Sequence, residues 1–238
     1  MPLPKISTPT YELEIPSTKK KIRYRPFLVK EEKILIIAME SQSDTEIANA
    51  VKDVLSTCIL TKGVKVDTLS TFDIEYLFLN IRGKSVGEDV EVLVTCPDDN
   101  KTKVPVRINL DDIKIITHDD HKRDIKLDDS LLMRMRYPSI NEFIKSNFST
   151  SEVKSEDTFD LIISCIEQIF NDEESWSTSD CTKEEMNDFL DQLNSNQFKE
   201  IEKFFDTMPK LSHTLTVNNP NTKVKSDIKL EGLAAFFA

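Results

Sequence analysis

The strongest constraint on the fold of this chain is a predicted internal repeat. The segment TKVPVRINLDDI at residues 102–113 matches TKVKSDIKLEGL at residues 222–233, at an offset of 120. In both places alternating apolar residues accompany a turn, so residues 92–110 and 212–230 are predicted to be equivalent β-hairpins. Each hairpin is expected to follow a helix.

Two helical patterns precede these hairpins in the same order. The second half repeats two apolar spacings of the first. The first spacing, that of Ile47, Val51, Val54 and Leu55, recurs in Ile162, Ile166, Ile169 and Phe170. The second, that of Phe72, Phe78 and Leu79, recurs in Phe198, Phe204 and Phe205. Apolar residues at such spacings form one face of a helix. The order predicts a unit of helix, helix and β-hairpin that is used twice, with insertions in the connecting loops.

The predicted fold class is therefore α+β, with two similar helix-helix-β-hairpin units and an additional N-terminal β-hairpin. Apolar and polar residues alternate before and after a Pro-Ser-Thr-Lys-Lys turn near the N-terminus, which indicates that hairpin. The predicted segments are a basic N-terminal hairpin arm at 1–30, a first α+β unit at 31–145, a serine-rich linker at 146–158 and a second α+β unit at 159–238.

Several shorter elements are also predicted. A helix that begins after Thr71 is expected to end at Gly83, because glycine commonly follows the last turn of a helix. Short extended segments are expected at residues 113–116 and 125–137, around a polar loop at residues 117–124.

The residue types exclude several classes of enzyme. Four glycines are too few and too scattered for a phosphate-binding loop. His118 and His121 fall in the polar loop, where we expect them to be solvated, and Cys96 lacks the second cysteine of a zinc knuckle. No cysteine has a histidine near it in sequence, and the four cysteines are interpreted as reduced thiols. The chain is predicted not to be an enzyme, and to use no metal and no cofactor.

Charge and hydropathy restrict the partners. The net charge of −11 and the pI of about 4.9 argue against nucleic acid. The longest apolar run, residues 34–39, is too short to span a bilayer, and no signal peptide is recognised, so we expect no membrane contact and a cytoplasmic location. Residues 1–30 carry a net charge of +5 and the remaining residues −16. Two interpretations of the basic arm are open: a solvated hairpin, or a docking arm for an acidic partner.

The predicted partner-binding residues lie at the two ends of the chain: Arg23, Arg25, Phe27, Phe236 and Phe237. Arginine can pair with a carboxylate through two parallel hydrogen bonds. The C-terminal sequence LEGLAAFFA is apolar and would be costly if it were exposed. It either packs into its own domain or binds a partner.

Four stretches of the chain resemble one known family: RPFLVKEEKILIIAME, FDIEYLFLNIRGKSVGE, FFDTMPKLSH and KLEGLAAFF. The chain is similar to the T4-type bacteriophage baseplate proteins, in particular to the baseplate hub subunit of contractile-tailed phages. The resemblance implies a non-enzymatic protein that contacts other hub and tail proteins in the host cytoplasm, with no small-molecule substrate. It leaves two roles open, a permanent component of the virion tail or a transient assembly chaperone.

Overall fold

The computed structural model describes residues 6–142 and 155–231 of the chain. These residues form helices and small antiparallel sheets, which confirms the α+β class. Contacts within the chain group it into two compact units. The first unit contains residues 1–116 and 210–238, and the second contains residues 117–209.

This grouping differs from the predicted segments 31–145 and 159–238, because residues on both sides of the second unit belong to one sheet. Lys210 lies opposite Ile116 in that sheet, so the inserted chain leaves and re-enters the first unit at paired residues. Most of the predicted linker, 146–158, lies outside the described residues.

The elements follow one another from an N-terminal hairpin to a C-terminal one. Before the insertion lie β1 (Tyr11–Glu14), β2 (Lys21–Tyr24), α1 (Val29–Glu40), α2 (Asp44–Cys58), α3 (Thr71–Val86), β3 (Asp89–Thr95), β4 (Lys103–Asn109) and β5 (Lys114–Ile116). The second unit contains β6 (Asp124–Lys126), β7 (Leu132–Met135), α4 (Ser155–Cys165), β8 (Ile166–Phe170), β9 (Ser175–Ser177), α5 (Lys183–Asp191) and α6 (Ser195–Thr207). The first unit resumes with β10 (Lys210–Asn218) and β11 (Lys225–Glu231).

The two predicted hairpins share a core in the first unit. β3 pairs with β4, and β10 pairs with both β11 and β5, all antiparallel. Alternation along each strand sends every second side chain to one face. The residues on those faces pack with α3 and with the turn that follows β4. Together they form one buried cluster: Leu79, Val90, Val92, Val94, Cys96, Ile108, Leu110, Ile113, Leu211, Leu215 and Val217. The hairpins at 92–110 and 212–230 are thereby confirmed, each after a helix, whereas their origin by duplication stays a prediction.

The hairpins β1–β2, β3–β4 and β10–β11 are closed by one kind of turn. In each, a buried residue precedes a proline, and its carbonyl oxygen accepts a hydrogen bond from the amide four residues on: Lys19 to Ile15 at 2.8 Å, Asn100 to Cys96 at 2.9 Å and Lys223 to Asn219 at 2.9 Å. The donor residues have positive φ values of 58°, 53° and 65°. The proline suits the turn because its ring fixes φ near −65°.

The end of α3 lies beyond the predicted one. Gly83 is a buried residue inside the helix, and a Cβ atom there would lie 3.6 Å from the Leu110 side chain. The helix ends at Val86, and Gly87 follows with a φ of 114°. Gly87 is therefore the terminating glycine, because only glycine adopts such a φ without strain.

The second unit contains a four-stranded sheet in the order β6-β7-β8-β9. The predicted helix through Ile166 and Ile169 is wrong, because residues 166–170 form β8. Ile166 lies opposite Met135 and Ile169 opposite Met133, so three residue steps of β8 match two of β7. This irregularity, a β-bulge, directs both isoleucines to the core although their spacing is that of a helix.

Candidate interaction surface

Helix α1 presents a largely apolar surface to solvent. Only Glu31, Leu35 and Ala38 of this helix are buried. Six exposed apolar residues in and beside the helix form what we call the α1 surface: Leu28, Val29, Ile34, Ile36, Ile37 and Met39. Val29 and Ile37 are the most open, with 66% and 65% of their area exposed. Neighbouring apolar residues left in water are a common feature of protein contact sites.

The sequence contains the signal for this surface. The run of apolar residues from 34 to 39 is longer than one face of a helix can bury. A helix packed on one side covers only the residues at i, i+4 and i+7, here Glu31, Leu35 and Ala38. The remaining apolar residues must then face outward.

A buried ion pair fixes the start of α1. The Arg25 guanidinium donates to Glu31 Oε1 at 2.8 Å, and the Leu28 amide donates to Glu31 Oε2 at 2.8 Å. The Glu31 side chain is only 2% exposed and that of Arg25 14%. Burial alone raises the pKa of Glu31, but these hydrogen bonds outweigh it and lower the pKa to about 2. Arg25 thus holds a charge inside its own chain.

Arg23, in contrast, is exposed. Its guanidinium donates to Thr10 Oγ1 at 3.4 Å, a long and weak hydrogen bond. Its amide donates to Thr61 Oγ1 at 2.7 Å, and its carbonyl oxygen accepts from the Leu60 amide at 2.8 Å. The outer edge of β2 is therefore occupied by this chain at Arg23.

Phe27 and the C-terminal phenylalanines complete the predicted partner-binding set. Phe27 is buried, its ring stacks on that of Phe78 with centroids 6.4 Å apart, and its amide donates to Ser85 Oγ at 2.9 Å. Phe236 and Phe237 lie outside the described residues. Of the predicted residues that the structure describes, Arg23 alone has an exposed side chain, and a partner-binding role for the set stays a prediction.

Charge is distributed unevenly between the two units. The sequence of the second unit, residues 117–209, contains 10 Lys and Arg against 22 Asp and Glu, a net charge of −12. The rest of the chain is close to neutral, at +1. Within it, exposed cations lie in the turn before β2, in β2 itself and in the loop that follows α2: Lys19, Lys20, Lys21, Arg23, Lys62 and Lys65. We call these six residues the basic surface.

The turns of the two later hairpins are joined by hydrogen bonds. The buried Asn219 amide donates to Asp98 Oδ1 at 3.1 Å, to Asp98 Oδ2 at 3.0 Å and to Asp99 Oδ2 at 3.0 Å. Thr222 Oγ1 donates to Asp98 Oδ2 at 2.5 Å. The Thr222 and Asn219 hydrogen bonds lower the pKa of Asp98. These carboxylates are thus engaged in fixing the turns.

His121 is not the solvated loop residue that the sequence predicted. Its ring lies 5.2 Å from that of Phe204 and 5.6 Å from that of Tyr137. Nδ1 lies 2.9 Å from Thr207 Oγ1, and Nε2 lies 3.0 Å from the Tyr137 hydroxyl. Since the Thr207 hydroxyl donates to the Lys203 carbonyl, it accepts from Nδ1–H, and the tyrosine donates to Nε2. Burial lowers the pKa of His121.

Residues 6–142 and 155–231 contain no candidate metal centre and no candidate membrane span. Within these ranges, no three His, Cys, Asp or Glu side chains form a group that could hold a metal ion. No helix in the same ranges is both long enough and apolar enough to cross a membrane.

The fold and the α1 surface define an α+β protein in which one helix exposes several neighbouring apolar side chains. The family model described as T4 bacteriophage base plate protein matches residues 8–238, nearly the whole chain. The chain belongs to this family, whose members are structural proteins of the phage baseplate. No curated protein and no solved structure matches the chain.

Proposed function

We propose that this protein is a non-enzymatic component of the baseplate hub that acts in baseplate and tail assembly through protein–protein contacts. The observation that carries the proposal is the α1 surface, since exposed apolar residues on one short helix are stabilised when another protein covers them. The family assignment supplies the setting, because a baseplate is an assembly of proteins.

The basic surface supports a second contact, with an acidic partner. Its cations accelerate encounter with opposite charge, and the effect decreases as salt rises. Arg23 is the predicted residue best placed for this contact, because its guanidinium is exposed. Arg25 and Phe27 contribute indirectly, by holding the start of α1.

The test is complementation of a phage that lacks its own copy of the gene. Wild type, Ile37→Asp and Leu93→Asp are supplied in turn, and assembled baseplates are counted by electron microscopy. We expect Ile37→Asp to reduce assembly at least tenfold. Leu93→Asp, which adds the same charge at an exposed apolar residue of β3, should assemble normally. Normal assembly with both variants would overturn the proposed role of the α1 surface.

Mass spectrometry of purified virions separates the two roles that the family resemblance leaves open. A permanent hub component is expected in virions at a fixed ratio to other baseplate proteins. A transient assembly chaperone is expected in infected cells and absent from virions.

A further inference from the structure

The outward side of α1 carries two opposite charges at equal distances from an apolar centre. With about 3.6 residues per turn, the residues directly opposite the buried side are Val29, Lys33, Ile36, Ile37 and Glu40. Lys33 precedes the midpoint between Ile36 and Ile37 by the same number of residues as Glu40 follows it. An apolar centre is thus flanked by a cation on one side and an anion on the other.

This order is complementary to itself when two copies of the helix run antiparallel. Lys33 of each copy then lies opposite Glu40 of the other, and the two isoleucines meet at the centre. A parallel arrangement would instead bring Lys33 against Lys33 and Glu40 against Glu40. Neither Lys33 nor Glu40 forms an ion pair with another residue in the described part of the chain.

The helix dipole favours the same arrangement. Glu40 is the last residue of α1, where the partial negative charge of the helix end repels a carboxylate. No basic residue lies in this last turn. An antiparallel second copy would bring the positive N-terminal half of its own α1 beside Glu40, which reverses the unfavourable interaction.

We propose that a second copy of this chain covers the α1 surface, with the two α1 helices antiparallel about a two-fold axis between Ile36 and Ile37. The inference rests on the proposed function and names the partner of the same surface. The interface is isologous, so each copy contributes Lys33 at one end and Glu40 at the other. A helix of 12 residues is about 18 Å long, so the contact is small and the dimer weak.

The test is sedimentation of the full chain over a range of concentrations. Wild type is expected to pass from monomer to dimer, and Ile37→Asp to remain monomeric. Lys33→Glu and Glu40→Lys each place like charges opposite one another, so each should weaken the dimer at least tenfold. Lys225→Glu makes the same charge change at an exposed lysine of β11, outside both α1 and the basic surface, and should dimerise like wild type.

Mixing gives the sharpest outcome. Lys33→Glu carries two acids on the outward side of α1 and Glu40→Lys carries two cations, so an equimolar mixture of the two should recover the dimer that neither forms alone. The double variant with both changes should also recover it. Recovery requires both variants to be folded, and circular dichroism should match wild type because both side chains are exposed.

Three results would overturn the inference: a wild type that stays monomeric up to about 1 mM, a concentration at which even a weak contact forms dimers; a dimer that Ile37→Asp leaves intact; or a mixture that does not recover. The proposed function is tested separately by baseplate assembly. A monomeric wild type whose Ile37→Asp variant still fails to assemble baseplates would retain the contact surface and exclude the second copy as its partner.

Discussion

Arg23 and Arg25 are only two residues apart, and the sequence predicted the same role for both. Strand alternation would place them on one face, but β2 ends at Tyr24 and the chain then turns into α1. Their roles differ because the buried carboxylate of Glu31 accepts a hydrogen bond from Arg25. The charge of Glu31 was visible in the sequence, whereas its burial depends on the packing of α1 and was not.

Replacing Arg25 by Ala should lower the free energy of unfolding by about 3–5 kcal/mol, because Glu31 would be left as a buried charge without its main partner. Arg23→Ala should change it by less than about 0.5 kcal/mol, as expected for an exposed side chain. Urea unfolding measures both values. Equal losses in the two variants would contradict an internal role that is specific to Arg25.

His121 makes the stability of the second unit depend on pH. Its pKa is below the ordinary value of 6.5 in the folded state, so the unfolded chain binds the proton more readily. The stabilisation is complete above about pH 6.5 and is lost as the pH falls below it. Asp120 favours the charged ring, and His118 and Arg123 oppose it, but burial is the larger effect.

We therefore expect the thermal midpoint to fall between pH 7.5 and pH 5.5 in wild type. The His121→Phe variant should lose less over the same interval, whatever its midpoint at pH 7.5. His118→Asn removes an exposed side chain that contributes less than burial to the lowered pKa of His121, so this variant should stay closer to wild type than His121→Phe does. If the midpoint of His121→Phe falls with pH as steeply as that of wild type, other groups cause the pH dependence.

At the scale of elements, the alternation of apolar residues and the turn residues predicted the hairpins correctly. The spacing of apolar residues predicted the wrong element where pairing with a distant strand determines the secondary structure. The isoleucines of β8 have helical spacing, and only the bulge opposite Met133 and Met135 makes them a strand. Gly83 and Gly87 both suit a helix end by residue type, and only the φ of 114° at Gly87 shows which of them ends α3. The apolar run of α1 was visible in the sequence. Which of its residues are exposed could be established only from the fold.

Asn219 joins two of these hairpins, which gives a test at the same scale. Asn219→Ala should lower the free energy of unfolding by about 1–3 kcal/mol, because a buried hydrogen-bonding group and the turn it supports are both lost. Asn221→Ala removes an exposed amide that donates to Thr102 Oγ1 and should cost little. Chemical denaturation of the two variants gives the comparison. Similar values for both would mean that the turns are held mainly by their backbone.

At the scale of the whole molecule, the sequence distinguished a basic arm from an acidic remainder, but it did not reveal the insertion or that residues 117–209 carry most of the negative charge. A repeat read along the chain assigns contiguous segments to each unit, whereas β10 returns across the insertion to pair with β5. The charge of −12 on residues 117–209 became visible only when these limits were known. Non-local strand pairing carries no local sequence signal.

The insertion should be dispensable for the fold of the first unit. Because Ile116 lies opposite Lys210, an Asn-Gly pair in place of residues 117–209 would convert β5 and β10 into a two-residue hairpin. We expect a folded chain with one cooperative thermal transition and the far-UV spectrum of an α+β protein. An aggregated or unfolded product would show that the first unit requires residues 117–209.

The pairing of β5 with β10 also dictates an order of events on the ribosome. When Ile116 has been synthesised, the inward faces of β3 and β4 still lack Leu211, Leu215 and Val217, their partners in the shared core. Translation at about 5–20 residues per second separates the two halves of this core by roughly 5–20 s. Residues 117–209 are all synthesised before that interval ends. The unit that contains the N-terminus is therefore the last of the two to be completed.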